Sequence, residues 1–295
     1  MKYVDKCVIC NSRNLSAYNA ATAPFIASRV WDSKPFKVKL FHCRNCDFVF
    51  FNLRMQENEM AALYKDYRDE TYQHQRNSFE KWYTKEINEK IGNNPTEIRN
   101  RNKNLSDILL KTTDVTKIKT VLDFGGDKGQ FIPEVLRSAE KYVYDISGIT
   151  PNQGVKSIQD LSESRSLKFD LIMCCHVLEH VPYPPEILEQ IKRFSRKDSI
   201  YYFEVPFDSP FQFQNILSFK NIIKHFLYSV LPIYKCIRFI FSRSFEMHEH
   251  VNFFSVNSLK NLMDVSGLKV QYISVRPIDS GWIKNNVLCC IAKNQ

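Results

Sequence analysis

Two pairs of cysteines near the N-terminus have the spacing of a metal site. Cys7 and Cys10 form one C-x-x-C pair, and Cys43 and Cys46 form a second pair after 32 intervening residues. Each pair can place two thiolates on one turn, as tetrahedral Zn²⁺ requires, and four sulfur ligands leave no open coordination position. The spacing therefore predicts a structural zinc site. Four unligated cysteines or a redox pair are the alternatives.

An acid followed by glycines, in VLDFGGDKG, has the character of a ligand-binding loop. Asp123 ends an apolar run, and Gly125, Gly126 and Gly129 follow it. Glycines between a strand and a helix let the backbone approach a ligand. Neither a G-K-[ST] phosphate loop nor a G-x-G-x-x-G fingerprint occurs at this position. Asp145, 22 residues after Asp123, ends the next predicted strand, where an acid typically accepts hydrogen bonds from ribose hydroxyls.

Two histidine-containing segments offer general bases. HVLEH at 176–180 fits the H-x-x-E-H pattern of zinc peptidases. It directly follows the apolar run FDLIMCC, however, and this context favours a cofactor-binding turn at the tip of a sheet strand. HEH at 248–250 is either a solvated polar turn or a source of a base, because a histidine pKa of about 6.5 suits proton removal from a hydroxyl. His176 and His180 are the competing bases.

A sheet must position these residues. Strand and helix signals alternate from residue 119 onward, which predicts parallel strands with crossover helices. The expected elements include strands ending at Asp123 and Asp145, a helix over 131–136, a strand at GVKSI, a strand over 169–174, a helix at PPEILEQIKRFSRK and a strand at DSIYYFEVP. A helix and two strands follow, in SLKNLMDVSGLKVQYISV and NNVLCCIAKN. Asp160, just after GVKSI, could meet an adenine amine.

Two smaller regions precede this sheet. Residues 1–55 predict a zinc-ribbon module in which the strands FKVKLFHC and FVFFN enter and leave the second cysteine pair. Residues 56–118 predict a helical connector with helices at ENEMAALYKDY, NSFEKWYTKEINEKIG and TEIRNRNKNLSDILLK, the last capped by Thr96. Tyr67 and Tyr72 flank the charged turn RDE. They are either packing residues or side chains that reach into a pocket.

The composition and charge limit the class of protein. The 295 residues are 44% hydrophobic and 25% charged, as in globular proteins, and no apolar run reaches the ~20 residues that span a bilayer. No apolar signal-peptide region opens the chain, so nine cysteines predict reduced thiols or metal ligands in the cytoplasm. The net charge of +9 is concentrated in residues 1–55 and 207–246, and such patches attract phosphates, nucleic acid or anionic membranes.

Residues 207–245 interrupt the sheet pattern with aromatic and basic residues. Three interpretations compete: a lid over the substrate pocket, a dimer contact, or a helix lying in the membrane plane. Contact of 211–245 with the inner face of a membrane would suit a lipid-linked glycan substrate.

The motifs VLDFGGDKG, YVYDISG, FDLIMCCHVLEHVPYPPEIL, YYFEVP and HEHVNFFS, in this order over 119–295, resemble a class I S-adenosylmethionine-dependent methyltransferase. With the C-x-x-C pairs, they resemble the zinc-binding subgroup related to sugar-nucleotide C-methyltransferases. The resemblance implies an α/β fold with a Rossmann-like seven-stranded sheet. The cofactor-binding residues that it implies are Asp123, Gly125, Gly126 and Gly129 at the methionine part, Asp145 and Ile146 at the ribose, Asp160 at the adenine, and Cys175 and His176 beside the cofactor.

The resemblance also implies catalytic residues. HEHVNFFS would supply Glu249 and His250 at the substrate, although Met247 stands where the related enzymes have a tyrosine. Asp127 replaces the middle glycine of the first motif.

The sequence thus predicts methyl transfer to an oxygen or carbon of a nucleotide sugar or surface-glycan intermediate, by in-line displacement with a His/Glu base. An RNA methyltransferase that grips phosphates with the basic zinc module is the first alternative. CCHVLEH occupies the place of the Asn/Asp-Pro-Pro-aromatic motif that this alternative would favour. A non-catalytic scaffold organised by zinc is the second alternative.

Overall fold

The main element of the computed structural model is a mixed seven-stranded sheet, which confirms the predicted α/β methyltransferase architecture. The structure describes residues 1–161, 164, 166–211, 245–281 and 284–295. The strand order is β13-β14-β10-β9-β6-β7-β8. Strands β6 to β10 pair in parallel, while β14 pairs antiparallel with β10 and β13. The strands are β6 Thr120–Phe124, β7 Glu140–Tyr144, β8 Val155–Ile158, β9 Phe169–Cys175, β10 Ser195–Pro206, β13 Leu268–Asp279 and β14 Lys284–Asn294.

The register brings the candidate site residues to one edge of this sheet. Asp123 on β6 pairs with Val143 of β7 and with Met173 of β9. Glu204 on β10 pairs with Cys175, the last residue of β9. Because these strands are parallel, the residues that follow them meet at the same edge, which is where open α/β sheets bind ligands.

Both faces of the sheet are covered, so its strands are apolar on both sides. Leu171 and Met173 pack with Ile108 and Leu109 of the connector, whereas Ile172 and Cys174 pack on the opposite face. Alternate residues of a strand point to opposite faces, which explains this division. Each of these side chains contributes about 1.5–3 kcal/mol through its burial.

A second sheet of five strands covers the other face, and its strand β3 ends at Cys43 of the second cysteine pair. Its order is β11-β2-β3-β4-β12, and β1 pairs separately with β5. The strands are β1 Lys2–Tyr3, β2 Leu15–Thr22, β3 Lys37–Cys43, β4 Val49–Phe51, β5 Leu53–Arg54, β11 Phe245–Met247 and β12 Asn252–Phe253. This sheet extends beyond the segment 1–55, because β11 and β12 come from the C-terminal part of the chain. The domain boundaries at residues 55 and 118 stay predictions.

The helices of the connector correct two expectations. The structure describes α1 Pro24–Trp31, α2 Glu57–Tyr64, α3 Glu70–Phe79, α4 Lys85–Lys90, α5 Pro95–Thr112, α6 Pro184–Lys192 and α7 Val256–Val265. The single helix predicted for NSFEKWYTKEINEKIG is wrong, because the chain leaves the helix at Glu80 and Thr84 caps a new one by accepting a hydrogen bond from the Ile87 amide. Thr96 is not the cap of α5. Asn94 is, with proline at the first helical position.

One further helix prediction is wrong beside the site. Residues 131–136 contain only a short 3₁₀ turn, Glu134–Leu136. Pro133 explains this, since proline disfavours a helical backbone at the residue before it. The segment after β9 forms the predicted turn, and α6 then begins at Pro184. His176 in this turn adopts a left-handed φ of 57°.

The expected insert at 207–245 lies mostly outside the described residues, and so does its interpretation as a lid, dimer contact or membrane helix. Within the described part of the chain, no helix combines the length and apolarity needed to cross a bilayer.

Candidate functional site

A cavity of about 1770 Å³ lies above the carboxyl ends of β6, β7 and β9, and we call it the main cavity. The connector and the turns after these strands form its walls, and Lys2 and Arg54 line one end. The predicted site residues on its walls are Asp123, Gly125, Gly126, Asp145, Ile146, Cys175, His176, His180, Glu249 and His250. Gly129 and Asp160 are not among the lining residues, and Asp160 is exposed just beyond β8.

The acid–glycine loop forms a tight cradle around a buried carboxylate. Asp123 is fully buried, and neither of its carboxylate oxygens has a hydrogen-bond partner in the described chain. A methyl group at Gly126 would lie 2.3 Å from the carboxylate carbon of Asp123, and one at Gly125 would lie 2.4 Å from Cγ2 of Val177. Burial raises the pKa of Asp123 to about 7. A bound cationic group would satisfy this carboxylate, and the α-ammonium of S-adenosylmethionine has that chemistry.

The aspartate that replaces a glycine in this loop has a structural explanation. Asp127 adopts a left-handed φ of 53°, which aspartate tolerates better than most residues. Its backbone N–H donates to Oδ2 of Asp145 at 2.9 Å, and its carboxylate accepts from Gln130 at 3.0 Å. The other oxygen of Asp145 accepts from the amide and hydroxyl of Ser147. Each oxygen has two lone pairs, so the carboxylate of Asp145 keeps capacity for a ribose hydroxyl.

His176 lies between two buried carboxylates. Its Nδ1 is 3.2 Å from Oε1 of Glu179, and its Nε2 is 3.2 Å from Oε1 of Glu204. Burial opposes a charged imidazole, but the two carboxylates raise the pKa of His176 to about 9. Arg101 donates to Glu204 at 2.6 Å and holds the pKa of that carboxyl at about 2 despite its burial. His176 is therefore a cation at neutral pH and is unsuited to accept a proton.

His180 and His250 contact each other beside Glu179, the carboxylate that also pairs with His176. Their ring centroids are 4.7 Å apart at an interplanar angle of 77°. Nδ1 of His180 lies 3.1 Å from the Tyr64 hydroxyl and 3.2 Å from the carbonyl oxygen of Glu249. Because a carbonyl oxygen only accepts hydrogen bonds, we assign the proton of the neutral imidazole to Nδ1, and Nε2 is then unprotonated. Burial lowers the pKa of His180 to about 4, so this imidazole is neutral but weakly basic.

Glu249 is held by two residues of helix α3. The Tyr72 hydroxyl donates to its Oε1 at 2.5 Å, and Nη1 of Arg76 donates to the same oxygen at 2.8 Å. Burial opposes ionisation, but Arg76 and Tyr72 lower the pKa of Glu249. The neighbouring His248 pairs with Glu80 and Glu246, and these carboxylates raise its pKa to about 9 against the effect of burial. Glu249 is thus a fixed anion facing the cavity.

Among the residues that the structure describes, two clusters of side chains could hold a metal ion. In the cysteine cluster, Cys7, Cys10, Cys43 and Cys46, all four Sγ atoms lie within 4.8 Å of one another, with the Cys7–Cys46 pair at 3.6 Å and the Cys10–Cys43 pair at 3.5 Å. Ligands about 2.3 Å from a tetrahedral zinc lie ~3.8 Å apart, so the cluster fits that ion closely. In the second cluster, Glu179, His180 and His250 bring one ligand atom each within 4.8 Å on the cavity wall.

Several residues that shape the site have no sequence motif. Arg101, Glu204, Tyr64 and Arg76 reach the cavity or its floor through contacts between residues distant in sequence. The only sign of such residues in the sequence is a polar residue within an otherwise apolar run, such as Glu204 in YYFEVP. Of the two tyrosines predicted either to pack or to reach into a pocket, Tyr67 lines the main cavity. Tyr72 is fully buried behind the lining and donates to Glu249.

Comparisons with known proteins identify similar sequences and folds. Residues 64–273, well over half of the chain, match the family model described as "Methyltransferase domain". The chain is 23% identical over 164 residues to a ubiquinone biosynthesis O-methyltransferase of Actinobacillus pleuropneumoniae serotype 7 (strain AP76), an alignment that covers 53% of this chain and 63% of that protein. The chain therefore spans less than two thirds of that relative.

Two solved structures also match. One is the 1,6-didemethyltoxoflavin-N1-methyltransferase of Burkholderia thailandensis, with S-adenosylhomocysteine bound. It has a TM-score of 0.51 and 14% identity, and the match covers 86% of this chain and 98% of that one. The other is the magnesium protoporphyrin IX methyltransferase of Synechocystis PCC 6803. It has a TM-score of 0.44 and 10% identity, and the match covers 71% of this chain and 87% of that one. At 14% identity, the likeness to the first of these structures concerns the fold alone.

Proposed function

The chain belongs to the class I S-adenosylmethionine-dependent methyltransferases, and from this premise we propose that it methylates a sugar carried on a nucleotide or on a lipid-linked glycan intermediate. The observation that carries the proposal is the meeting of an unsatisfied acid–glycine cradle and a histidine–glutamate pair in one cavity. The sugar itself is proposed from the resemblance of HEHVNFFS and of the cysteine pairs to sugar-nucleotide methyltransferases.

The cofactor side of the cavity consists of the cradle and the ends of β7 and β9. Asp123 binds the ammonium group of the cofactor, Gly125 and Gly126 allow its close approach, and Asp145 accepts from the ribose. Bound S-adenosylmethionine supplies an electrophilic methyl group on a sulfonium centre. Most of the acceleration comes from holding the acceptor atom in line with that group, because alignment alone is worth several kcal/mol.

His250 is the base in this proposal. His176 is a cation, the pKa of His180 is depressed, and Glu249 is fixed by Arg76 and Tyr72. Within the part of the chain that the structure describes, the His250 side chain makes no hydrogen bond, while its ring contacts His180. His250 takes the proton of the acceptor hydroxyl, and the anion of Glu249 stabilises the imidazolium that results.

Tyr72 and Arg76 act as positioning residues for this pair. They fix Oε1 of Glu249, which leaves Oε2 to accept a hydrogen bond from a second hydroxyl of the acceptor. A sugar presents several hydroxyls in a fixed geometry, which suits a wall with one base and one fixed carboxylate.

We further propose that the cysteine cluster holds a structural zinc ion. The four sulfur atoms fill a tetrahedral shell, three of the four cysteines are buried, and the Cys46 thiol lowers the pKa of Cys7 to about 5. The cluster packs in the same apolar core as one face of the main sheet. A zinc ion there would stabilise the fold and take no part in methyl transfer.

The test offers the full chain methyl-labelled S-adenosylmethionine together with separated nucleotide sugars, lipid-linked glycans and RNA. We expect label in a sugar fraction and a loss of about 10²–10⁴-fold in rate for His250→Gln. His74→Gln replaces an exposed histidine of helix α3 and is the matched control.

Label in RNA alone would overturn the sugar assignment while leaving methyl transfer intact. Failure to bind S-adenosylhomocysteine would overturn the catalytic proposal itself and favour a zinc-organised scaffold.

A further inference from the structure

Arg54 is a buried cation that is not paired with a carboxylate in the described part of the chain. The residue is 1% exposed, and Nη1 donates to Oδ1 of Asn252 at 2.7 Å. Nε and Nη2 have no hydrogen-bond partner, and no carboxylate lies within ion-pair distance of the guanidinium, among the residues the structure describes. A buried charge that keeps unsatisfied donors is costly, so such a group usually serves a ligand.

The guanidinium is also held in a fixed orientation. The amide nitrogen of Asn252 donates to the carbonyl oxygens of Leu178 and Val181, which turns its Oδ1 toward Arg54. On the other side, the Arg54 guanidinium carbon lies 5.1 Å from the centroid of the Phe50 ring. The two unpaired donors therefore occupy a set position on the wall of the main cavity.

A second cation and a second unsatisfied donor lie near Arg54, because Lys2 pairs with Arg54 in the register of β1 and β5 and also contacts the Tyr183 ring. The hydroxyl of Tyr183 is buried and has no partner in the described chain. Nζ of Lys2 lies 5.5 Å from the centroid of the Tyr183 ring. The acids that line this end, Glu57 and Glu186, are exposed and stay solvated.

We propose that Arg54, Tyr183 and Lys2 form an anion-binding subsite that holds the diphosphate of the acceptor. Guanidinium binds phosphate oxygens through two parallel N–H groups, and a tyrosine hydroxyl and an ammonium add donors. The proposed function is the premise of this inference, since both a nucleotide sugar and a lipid-linked sugar carry a diphosphate. Tyr183 follows the turn that carries His180, so a diphosphate at the subsite places the attached sugar toward the histidines.

Calorimetric titration of the full chain with inorganic pyrophosphate tests the subsite directly. We expect Arg54→Lys and Tyr183→Phe each to weaken pyrophosphate binding by about tenfold or more, because each removes a hydrogen bond to a charged group. The affinity for S-adenosylhomocysteine and the zinc content should stay unchanged in both variants, which shows that they fold. Arg13→Lys is the control, because Arg13 pairs with Asp5 on the exposed surface.

Competition titrations then distinguish the two sources of a diphosphate. Displacement of pyrophosphate by uridine diphosphate supports a nucleotide sugar, and displacement by farnesyl diphosphate supports a lipid-linked acceptor.

Absence of pyrophosphate binding, or equal binding by the parent and both variants, overturns the subsite. Loss of zinc from Arg54→Lys with unchanged pyrophosphate binding also overturns it and assigns Arg54 to the cysteine cluster. Pyrophosphate binding without methylation of any sugar would instead contradict only the proposed function.

Discussion

The cysteine cluster and the main cavity differ in whether their buried polar atoms have partners. In the cysteine cluster the four sulfur atoms face one another within 4.8 Å inside an apolar core. In the cavity, the Asp123 carboxylate and part of the Arg54 guanidinium are buried without partners. The difference indicates that the first region stabilises the fold, whereas the second keeps unfavourable electrostatics that a ligand would relieve. Substitutions in the two regions should therefore affect different measurements.

The largest effect is expected in the cysteine cluster. Cys43→Ser should abolish the proposed zinc binding and lower the free energy of unfolding by several kcal/mol, because metal-binding energy in such sites is folding energy. Zinc content by mass spectrometry and urea denaturation measure the two quantities. Cys290→Ala, a buried cysteine of β14 outside the cluster, should lose about 1–3 kcal/mol through packing and keep the zinc. Equal zinc contents in the two variants would contradict the structural role.

The next largest effect is expected in the cradle. Gly125→Ala should weaken S-adenosylhomocysteine binding by at least tenfold, because its new methyl group would lie 2.4 Å from Val177 at a φ of +74°. Calorimetry measures the affinity. Gly154→Ala has a similar positive φ of +82° but open space around the new methyl group, so it separates backbone strain from the clash. Equal affinities of the two variants would show that the clash does not matter.

The cofactor side of the cavity was largely predictable because it follows local rules. Strand ends with an acid or glycines recur in VLDFGG and YVYD, and parallel strands bring their ends to one edge. The failures on this side are local too. Pro133 prevents the helix expected over 131–136, and the sequence already contained that signal.

The wall formed by His180, Glu249 and His250, which we call the acceptor side, was much less predictable. Its geometry depends on contacts between residues that are distant in sequence. Tyr72 and Glu249 are 177 residues apart in sequence, and Arg54 and Asn252 are 198 apart. The five-stranded sheet likewise recruits β11 and β12 from beyond residue 244. No periodicity within a short window specifies such pairings. Sequence patterns therefore gave HEH as a candidate source of a base and drew attention to Tyr72, but did not reveal that Tyr72 and Arg76 hold Glu249.

A smaller effect is expected on the acceptor side. Tyr72→Phe removes the hydroxyl that donates to Glu249 at 2.5 Å, while Arg76 keeps the carboxylate ionised. We expect kcat to fall by about tenfold with little change in cofactor affinity, since one hydrogen bond to a charged group is lost. Tyr201→Phe loses a hydroxyl that donates to Asn294, away from the cavity, and should retain full activity. A proportional loss of cofactor affinity in Tyr72→Phe would point to a general loosening of the fold.

The smallest expected effect is a dependence of cofactor affinity on pH. Burial raises the pKa of Asp123 from 3.8 to about 7, so the carboxyl is mostly protonated at pH 6 and mostly ionised at pH 8. A cationic ligand prefers the ionised form, and the ionised fraction rises about tenfold over this interval, so the affinity for S-adenosylhomocysteine should rise by up to that factor. Asp123→Asn should weaken binding and abolish the pH dependence, whereas Asp107→Asn on the surface of α5 should preserve both.

The raised pKa of Asp123 also predicts the direction in which the free energy of unfolding changes with pH. Between pH 4 and pH 7 the folded protein retains a proton that the unfolded chain has released, so the free energy of unfolding falls as pH rises through this window. Asp123→Asn removes that decline, and the variant should be more stable than the parent at pH 8 although it binds the cofactor less well. Urea denaturation at pH 5 and pH 8 measures both differences. If the parent and Asp123→Asn had the same free energy of unfolding at pH 8, the buried carboxylate would not destabilise the folded protein. The contrast with the cysteine cluster would then rest on Arg54 alone.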